Sequence, residues 1–445
     1  MSTLLEKARQ LLAEGDLCDH CLGRAFSQLG KGLRNVQRGR ALRTVLNMEG
    51  QLFPERESAC RVCGGIFAEV PQWAQRAVAA VEGLEFRTYL MGTRVPPAIE
   101  SAELALKEKH ELRGEPFKQE FNREVGRLFG TILAERGRAV SVDFLDPEIV
   151  LLMDLEKSEL QLRVNPLFIY GRYRKFVRTL PQTKWPCRQC RGRGCPECDF
   201  TGKTYQESVE ELISPPLLRE TRGVGTAFHG AGREDIDALM LGTGRPFVIE
   251  IKEPKVRTLD LARLQKEINE SAAGKIEVSE LQFVKGAVVE RLKSLEAEKV
   301  YEAKVRFAEP ITPEQLQDAL TRLRGATIEQ RTPTRVAHRR ADLVRTRRVL
   351  EISGDLISPT EATIRVRCEG GLYIKELVSG DGGRTRPSLS ELLSTHAEVT
   401  ELNVLEVRGD FLQDPSPDLT PTPSLKGRGS PPPLGEGSGE RSKRG

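Results

Sequence analysis

Residues 228–255 read FHGAGREDIDALMLGTGRPFVIEIKEPK, and this stretch indicates the fold of the whole chain. A glycine-rich turn at Gly230 and Gly232 presents an arginine beside acids, and a second glycine turn leads into an alternating strand that ends near Lys252. Glycine supplies the backbone angles that tight turns require. The pattern therefore predicts a strand pair whose turn holds carboxylates at its mouth.

Asp235 and Asp237 have two interpretations. In the first, they only satisfy the amide groups of a turn or a helix N-cap, as most aspartates beside glycine do. In the second, Arg233 orients the Asp235 carboxylate through a bidentate pair, on a loop that a rigid strand pair positions for chemistry. The residues alone leave both interpretations open.

The stretch resembles the active-site motif of the archaeal tRNA pseudouridine synthases that carry a THUMP RNA-binding domain and act on T-loop uridines. Gly-Arg-Glu-Asp at residues 232–235 is similar to the Gly-Arg-x-Asp motif of pseudouridine synthases, and the resemblance spans approximately residues 18–407. It implies that Asp235 is the catalytic nucleophile, with Asp237 as second choice. It also implies an isomerase that acts on tRNA uridines 54 and 55.

Composition sets limits on the class of protein. At 445 residues the chain is long enough for about three domains. Its 68 basic and 64 acidic residues give a net charge of only +4, so evidence for a nucleic-acid partner must come from local clusters of charge. No apolar run suits a signal core or a membrane span. We therefore expect a cytoplasmic protein that does not bind membranes, and we expect it to be a monomer.

Cysteine spacing indicates metal sites. Eight of the nine cysteines lie in Cys-x-x-Cys pairs, which in a reducing cytosol favours metal over disulfides. Two pairs with following glycines predict a closed, structural zinc site, and its ligands are Cys18, Cys21, Cys60 and Cys63. Redox-active or incidental pairs are the alternative. The long interval between the pairs predicts an inserted helix at residues 34–47.

A second quartet is interleaved with arginines and consists of Cys187, Cys190, Cys195 and Cys198. This loop is tight for tetrahedral coordination, so a flexible basic loop with free thiols competes with a second zinc site. In the family, the position resembles the forefinger loop that grips RNA, where a metal would stiffen a basic finger. The residues expected to contact RNA there are Arg188, Arg191 and Arg193.

The order of elements predicts an α+β fold. The resemblance implies a pseudouridine synthase domain with a mixed, mainly antiparallel sheet, which follows a zinc-binding and THUMP-type accessory region. We expect a zinc-binding region at residues 1–70 and the catalytic domain at residues 168–412. Between them, the order of strands and helices at residues 71–167 resembles a THUMP domain, which implies docking of a tRNA end region. Residues 413–445 are rich in proline, glycine, serine and charge, and predict a disordered tail.

Two further segments carry candidate substrate contacts. Tyr301 lies in an alternating strand, KVYEAKVRF, and from the pattern alone it is an ordinary half-buried tyrosine. The resemblance implies that Tyr301 stacks on the extruded uracil. Beyond it lies the densest basic run of the chain, with few acids to neutralise it, and the resemblance makes it the thumb loop facing the forefinger. Guanidinium groups suit phosphates, and the expected RNA contacts are Arg335, Arg339, Arg340 and Arg345.

Residues 370–393, GGLYIKELVSGDGGRTRPSLSELL, resemble the next motif of the family. The resemblance implies that Tyr373 and Ile374 line the base pocket and that Lys375 pairs with the catalytic carboxylate and keeps it ionised. Leu392 is the expected apolar wall of that pocket. A surface lysine at a strand end is the alternative for Lys375.

Three functions compete. Isomerisation of uridine adds and removes nothing, so an isomerase needs structural zinc only and no catalytic cofactor. A metal-dependent nuclease is the second candidate, because Asp235 or Asp237 followed by Glu250 and Lys252 mimics an Asp...Glu-x-Lys array that positions magnesium. A non-catalytic zinc and THUMP protein that only binds RNA is the third.

Overall fold

The computed structural model describes residues 4–50, 52–55, 60–339 and 341–412. Three parts of the predictions lie outside these residues, namely Arg340, the side chain of Arg339 and the tail at residues 413–445. In the described part of the chain, no helix has both the length and the hydropathy that crossing a bilayer requires.

The chain begins with helices. These are α1 (Leu4–Ala13), α2 (Asp19–Ala25), α3 (Asn35–Met48) and α4 (Val70–Ala80). Helices α2 and α3 cross so closely that a Cβ atom on Gly23 would lie 1.8 Å from the carbonyl oxygen of Asn35, and one on Gly39 would lie 1.9 Å from that of Asp19. The helix predicted at residues 34–47 is confirmed as α3, and the crossing places the start of α2 beside it.

A small mixed sheet follows. Its elements are β1 (Thr88–Arg94), α5 (Pro97–Lys109), α6 (Phe117–Glu135), β2 (Ser141–Val142), β3 (Ile149–Asp154) and β4 (Glu159–Val164). The strand order is β2-β1-β3-β4, with β1 parallel to both of its neighbours. Helix α6 buries Phe117, Phe121 and Phe129 in one core that also contains residues of α1 to α4. The helices beside the cysteine pairs and this sheet therefore share a hydrophobic core.

The rest of the described chain builds a sheet of ten strands. Its elements are β5 (Leu167–Lys175), α7 (Val209–Thr221), β6 (Gly225–Gly230), β7 (Leu239–Lys252), α8 (Leu261–Ser271), β8 (Ile276–Val284), α9 (Ala287–Ser294), β9 (Glu298–Phe307), α10 (Pro313–Leu323), β10 (Thr327–Arg331), β11 (Val344–Ser358), β12 (Glu361–Cys368), α11 (Ile374–Ser379), β13 (Thr385–Arg386), α12 (Leu389–Leu393) and β14 (Ala397–Arg408). The order is β13-β10-β11-β12-β9-β14-β7-β5-β8, with β6 paired to β7. All its pairs are antiparallel except β7 with β14, so the prediction of an α+β fold with a mixed, mainly antiparallel sheet is confirmed.

Strand register brings distant segments to one place. The first residues of β7 pair with β14, where Met240 lies opposite Val404. Val404 also lies opposite Tyr301 of β9. The loop between β6 and β7 is therefore only two strands away from Tyr301, and β12 on the other side of β9 leads into the segment that precedes α11.

The crossing of α2 and α3 gives a stability test. Gly39→Ala should lower the free energy of unfolding by about 2 kcal/mol or more, since the added methyl group meets backbone that has no rotamer to change. Thermal unfolding followed by circular dichroism measures the effect. Gly225→Ala is the control, because a Cβ atom there meets nothing within 4 Å. Equal melting temperatures for the two variants would contradict the close crossing.

Candidate active site

The loop between β6 and β7 is held by Glu234, the middle acid of the Arg-Glu-Asp motif. Its carboxylate is buried and accepts hydrogen bonds from the Tyr173 hydroxyl at 2.8 and 2.9 Å. The Nε atom of Arg245 lies 2.8 Å from its Oε2 atom, and both side chains are shielded from solvent. Burial opposes ionisation, but Arg245 and Lys175 outweigh it and hold the pKa of Glu234 below its usual range.

The same buried groups also bind the backbone of the loop. Arg245 donates to the carbonyl oxygen of Ala231 at 2.7 Å. Lys175, at the end of β5, donates to the carbonyl oxygen of Ile236 at 3.1 Å. Both ends of the short segment that carries the motif are therefore fixed by cations that also neutralise its central acid.

Asp235 lies at the mouth of this loop with its side chain 25% exposed. It accepts a hydrogen bond from Nη1 of Arg335 at 2.8 Å. The Lys375 ammonium lies 3.8 Å from Asp235 and only 2.6 Å from Asp237. Lys375 thus sits between the two aspartates, and its shorter contact is with the second one. Burial raises the pKa of Asp237, but the hydrogen bond and charge of Lys375 outweigh burial and lower that pKa below its usual value.

Arg335 lies in a short helical turn, Thr334–Arg339, between β10 and β11. Its Nε atom donates to Glu376 at 2.6 Å, so the guanidinium bridges Glu376 and Asp235. The sequence placed Arg335 among phosphate contacts, whereas in the structure two carboxylates occupy its donors.

A cleft of about 580 Å³ opens in front of Asp235. Its lining includes Asp235, Tyr301, Arg335, Arg345, Tyr373 and Ile374. Asp237 and Lys375 lie beside this cleft without lining it, as far as the described residues define its wall. Leu392, in α12, packs against the hydrophobic core and likewise does not line the cleft. The guanidinium of Arg233 lies over the ring of Trp185, 4.6 Å from its centroid.

The predicted zinc ligands form two compact groups. The thiols of the first quartet lie within 4.8 Å of one another, and so do those of the second. A Zn–S bond of about 2.3 Å gives a tetrahedron with edges of about 3.8 Å. The Sγ atoms of Cys18 and Cys63 are 3.7 Å apart, and those of Cys190 and Cys198 are 3.8 Å apart. Both quartets therefore have the geometry that a tetrahedral cation requires.

The loop of the second quartet accommodates this geometry through its glycines. The amide groups of Gly194 and Gly202 donate to the sulfurs of Cys190 and Cys198 at 3.2 and 3.3 Å. Gly194 has φ = +90° and lies so close to the carbonyl oxygen of Phe200 that a Cβ atom would be 2.8 Å away. The strain expected from so tight a loop is relieved by these backbone conformations. The arginines of this loop, Arg188, Arg191 and Arg193, are exposed.

Sequence reasoning missed the residues that hold the motif. Glu234, Arg245 and Lys175 were given no role, although all three are buried. One signal was available, because alternation along β5 places Tyr173 and Lys175 on the same face as buried apolar residues. A charged residue in such a position requires a buried partner.

Family models identify the class of the protein. The model for the C-terminal part of Pus10 matches residues 168–408, and the model for the archaeal Pus10 THUMP domain matches residues 73–154. A mixed sheet with an Arg-Glu-Asp loop at a cleft, together with these matches, defines a pseudouridine synthase, which is an isomerase.

Curated relatives give the family. The tRNA pseudouridine synthase Pus10 of Halorubrum lacusprofundi is 46% identical over 92% of this chain and 97% of its own length. That of Pyrococcus furiosus is 42% identical over 92% of this chain and 100% of its own length. The chain belongs to the Pus10 family of tRNA pseudouridine synthases. Among solved structures, a Cbf5-Nop10-Gar1 complex matches 46% of the chain at 19% identity with a TM-score of 0.29, too low to bear on function.

Glu234 offers a test of the loop anchor. Glu234→Gln should lower the free energy of unfolding at pH 7 by about 3 kcal/mol, because it leaves the Arg245 charge buried without its partner. The lowered pKa means that the stabilisation is present above the ordinary glutamate pKa of 4.5 and is lost as the pH falls through the folded value. The difference between wild type and variant should therefore shrink in acid, as urea unfolding at several pH values would show.

Glu296→Gln is the matched control, since this carboxylate pairs with Arg347 at 3.2 Å but is 73% exposed. Its effect should stay within about 1 kcal/mol at every pH. A Glu234 variant that behaves like the control would contradict the anchoring role.

The two cysteine quartets predict two zinc ions per protein, each of which can be removed independently. The wild-type protein should carry about two zinc ions, and Ser at both Cys60 and Cys63 should remove about one, because a closed site needs all four thiolates. Ser at both Cys187 and Cys190 should remove the other one. Metal analysis of the purified proteins measures this. Wild-type protein purified with zinc present that carries none would contradict both sites.

Proposed function

We propose that this enzyme isomerises uridines 54 and 55 of the tRNA T-loop and that Asp235 is its nucleophile. The observation that carries the proposal is that Asp235 lines the cleft together with Tyr301, whereas Asp237, the other candidate, lies beside it. The printed names of the relatives support tRNA as the substrate. The resemblance of the Arg-Glu-Asp and Tyr-Ile-Lys motifs supports the T-loop.

The electrostatics of the loop suit this chemistry. Arg335 and Lys375 place two cations near the Asp235 carboxylate, with contacts of 2.8 and 3.8 Å. An ionised carboxylate beside a glycosidic carbon is also the group that retaining glycosidases use to form a covalent sugar intermediate. Here the bond from uracil N1 to C1′ breaks and a bond from C5 to C1′ forms, so the product has the composition of the substrate.

Access to the sugar requires that the base leave its stack. Tyr301 and Tyr373 supply aromatic faces in the cleft, and Ile374 adds an apolar wall, so a flipped uracil would have surfaces to contact. We propose that Tyr301 stacks on this base. A loop uridine fits the cleft better than a uridine in a duplex, because loop bases unstack at lower cost.

Zinc would hold structure rather than take part in the reaction. Four thiolates complete a tetrahedron and leave no position for water or substrate. The first site would fix the start of α2 to the accessory core, and the second would stiffen the loop that exposes Arg188, Arg191 and Arg193 for RNA. We propose that the accessory region docks a tRNA end. The domain boundaries, the monomeric state and the cytoplasmic location stay predictions.

The nuclease alternative lacks its metal site. Glu250 pairs with His229 at 3.0 Å and does not line the cleft. Among the residues that the structure describes, the groups able to hold a metal are the two cysteine quartets. The Asp235 and Asp237 carboxylates are instead in contact with the cations of Arg335 and Lys375, at 2.8 and 2.6 Å.

Asp235→Asn should abolish pseudouridine formation in an unmodified tRNA transcript and leave tRNA affinity within a few-fold, because the substitution removes the nucleophile and preserves the side-chain shape. Mass mapping of the T-loop measures the product, and the reaction should persist with chelator present. Asp237→Asn is the control and should keep measurable activity. An inactive Asp237 variant beside an active Asp235 variant would move the nucleophile, and cleavage of tRNA that chelator stops would favour the nuclease.

A further inference from the structure

The cations around the cleft differ in whether the protein supplies a carboxylate for them. Arg335 pairs with Asp235, and Arg347 pairs with Glu296 at 3.2 Å. Lys299 lines the same cleft, yet the described part of the chain places no hydrogen-bond acceptor and no carboxylate in contact with its ammonium group. Its charge is therefore available to a ligand.

The surroundings of Lys299 make its unpaired charge unfavourable for the stability of the protein. The side chain is half-buried, and its Nζ atom lies 3.2 Å from where a Cβ atom on Gly232 would be. Burial, with repulsion from Arg245, lowers the pKa of Lys299 to about 8, although Cys368 and Glu234 act in the opposite direction. An ammonium group that leaves water without a partner costs stability. The protein keeps this arrangement beside its catalytic loop, and a substrate anion would supply the missing partner.

The position on the strand indicates which part of the substrate is near. Lys299 and Tyr301 are two residues apart on β9, so their side chains project from the same face of the sheet. Tyr301 is the proposed stacking partner of the uracil. A cation beside that ring is placed to meet the edge of the base.

We propose that Lys299 is a catalytic residue that binds the uracil anion formed when the bond from N1 to C1′ breaks. This inference rests on the proposed function. The electron pair of the broken bond stays with the uracil, whose charge spreads over N1, O2 and O4, and C1′ passes to the Asp235 carboxylate. When C5 then bonds to C1′ and the ester oxygen leaves, C5 gives up its proton and N1 gains one, so atoms and charge balance. The ammonium group of Lys299 stabilises the anion and keeps it in the cleft.

The test compares Lys299→Met and Lys299→Arg with wild type in single-turnover reactions on a saturating tRNA transcript. The Met variant should react about 100-fold more slowly or worse, as expected when a group that stabilises developing negative charge is removed. The Arg variant should recover part of the rate. Lys304→Met is the control, since Lys304 lies on the same strand and pairs with Glu401 at 2.9 Å on the surface, and its rate should be unchanged.

The pH profile separates this role from a structural one. The charged amine is the active form, so the wild-type rate should be full below a pH of about 8 and fall above it. The charged and titratable neighbours that act on this pKa are Arg245, Cys368 and Glu234, and Tyr301 lies two residues further along the same strand. In the Arg variant the fall should move to higher pH, and in the Met variant it should disappear.

The affinity of the Lys299 variants for tRNA shows whether Lys299 contacts the base or a backbone phosphate. With an anionic base as ligand, the dissociation constant of the tRNA and its dependence on salt should match those of wild type for both variants. A contact to phosphate would instead lower the salt slope by about 0.9 and leave the saturated rate intact, which would overturn the proposal. If the wild-type enzyme forms pseudouridine and the Met variant reacts equally fast, the role of Lys299 is overturned and the proposed function stands. If the wild-type enzyme forms no T-loop pseudouridine, the proposed function is overturned as well.

Discussion

The buried contact between Glu234 and Arg245 is the constraint on which the site depends. Removing two charges from water is costly, and only close pairing with further hydrogen bonds recovers that cost. The Tyr173 hydroxyl and the Lys175 ammonium supply the additional partners. Glu234 lies in the loop between β6 and β7 and Arg245 lies in β7 itself, so the buried pair holds the loop against its own strand.

This constraint bears on the position of the Asp235 carboxylate, the proposed nucleophile. Residues 233–235 lie outside any helix or strand, and the buried contact of Glu234 holds this segment. With Glu234 fixed inward, Asp235 projects toward the cleft and Arg233 toward Trp185. The central acid of the motif is thus buried in the contact that holds the loop, and the acid that follows it lines the cleft.

Sequence patterns predicted the local features and failed on the long-range ones. The long interval between the first two cysteine pairs indicated helix α3, and cysteine spacing indicated two groups whose sulfurs lie at distances close to tetrahedral edges. Chain spacing cannot show that Arg335 meets Asp235, because they are 100 residues apart. Lys375 was expected on one aspartate and contacts the next one more closely, since a side chain at a helix start reaches both.

The basic run illustrates why charge along a sequence is a poor guide to a nucleic-acid surface. Arg331 donates to Asp342 at 2.9 Å within the run, and Arg347 pairs with Glu296 from outside it, so acids neutralise cations that look unpaired in sequence. Pairing of this kind reduces the counterions that RNA binding can release, and with them the gain in affinity. Near Cys187 the balance differs, because Arg188 and Arg191 are exposed and contact no carboxylate in the described residues. The arginines of this loop have few contacts within the protein to give up when they bind a phosphate. The loop is therefore a better candidate for an RNA contact than the longer basic run.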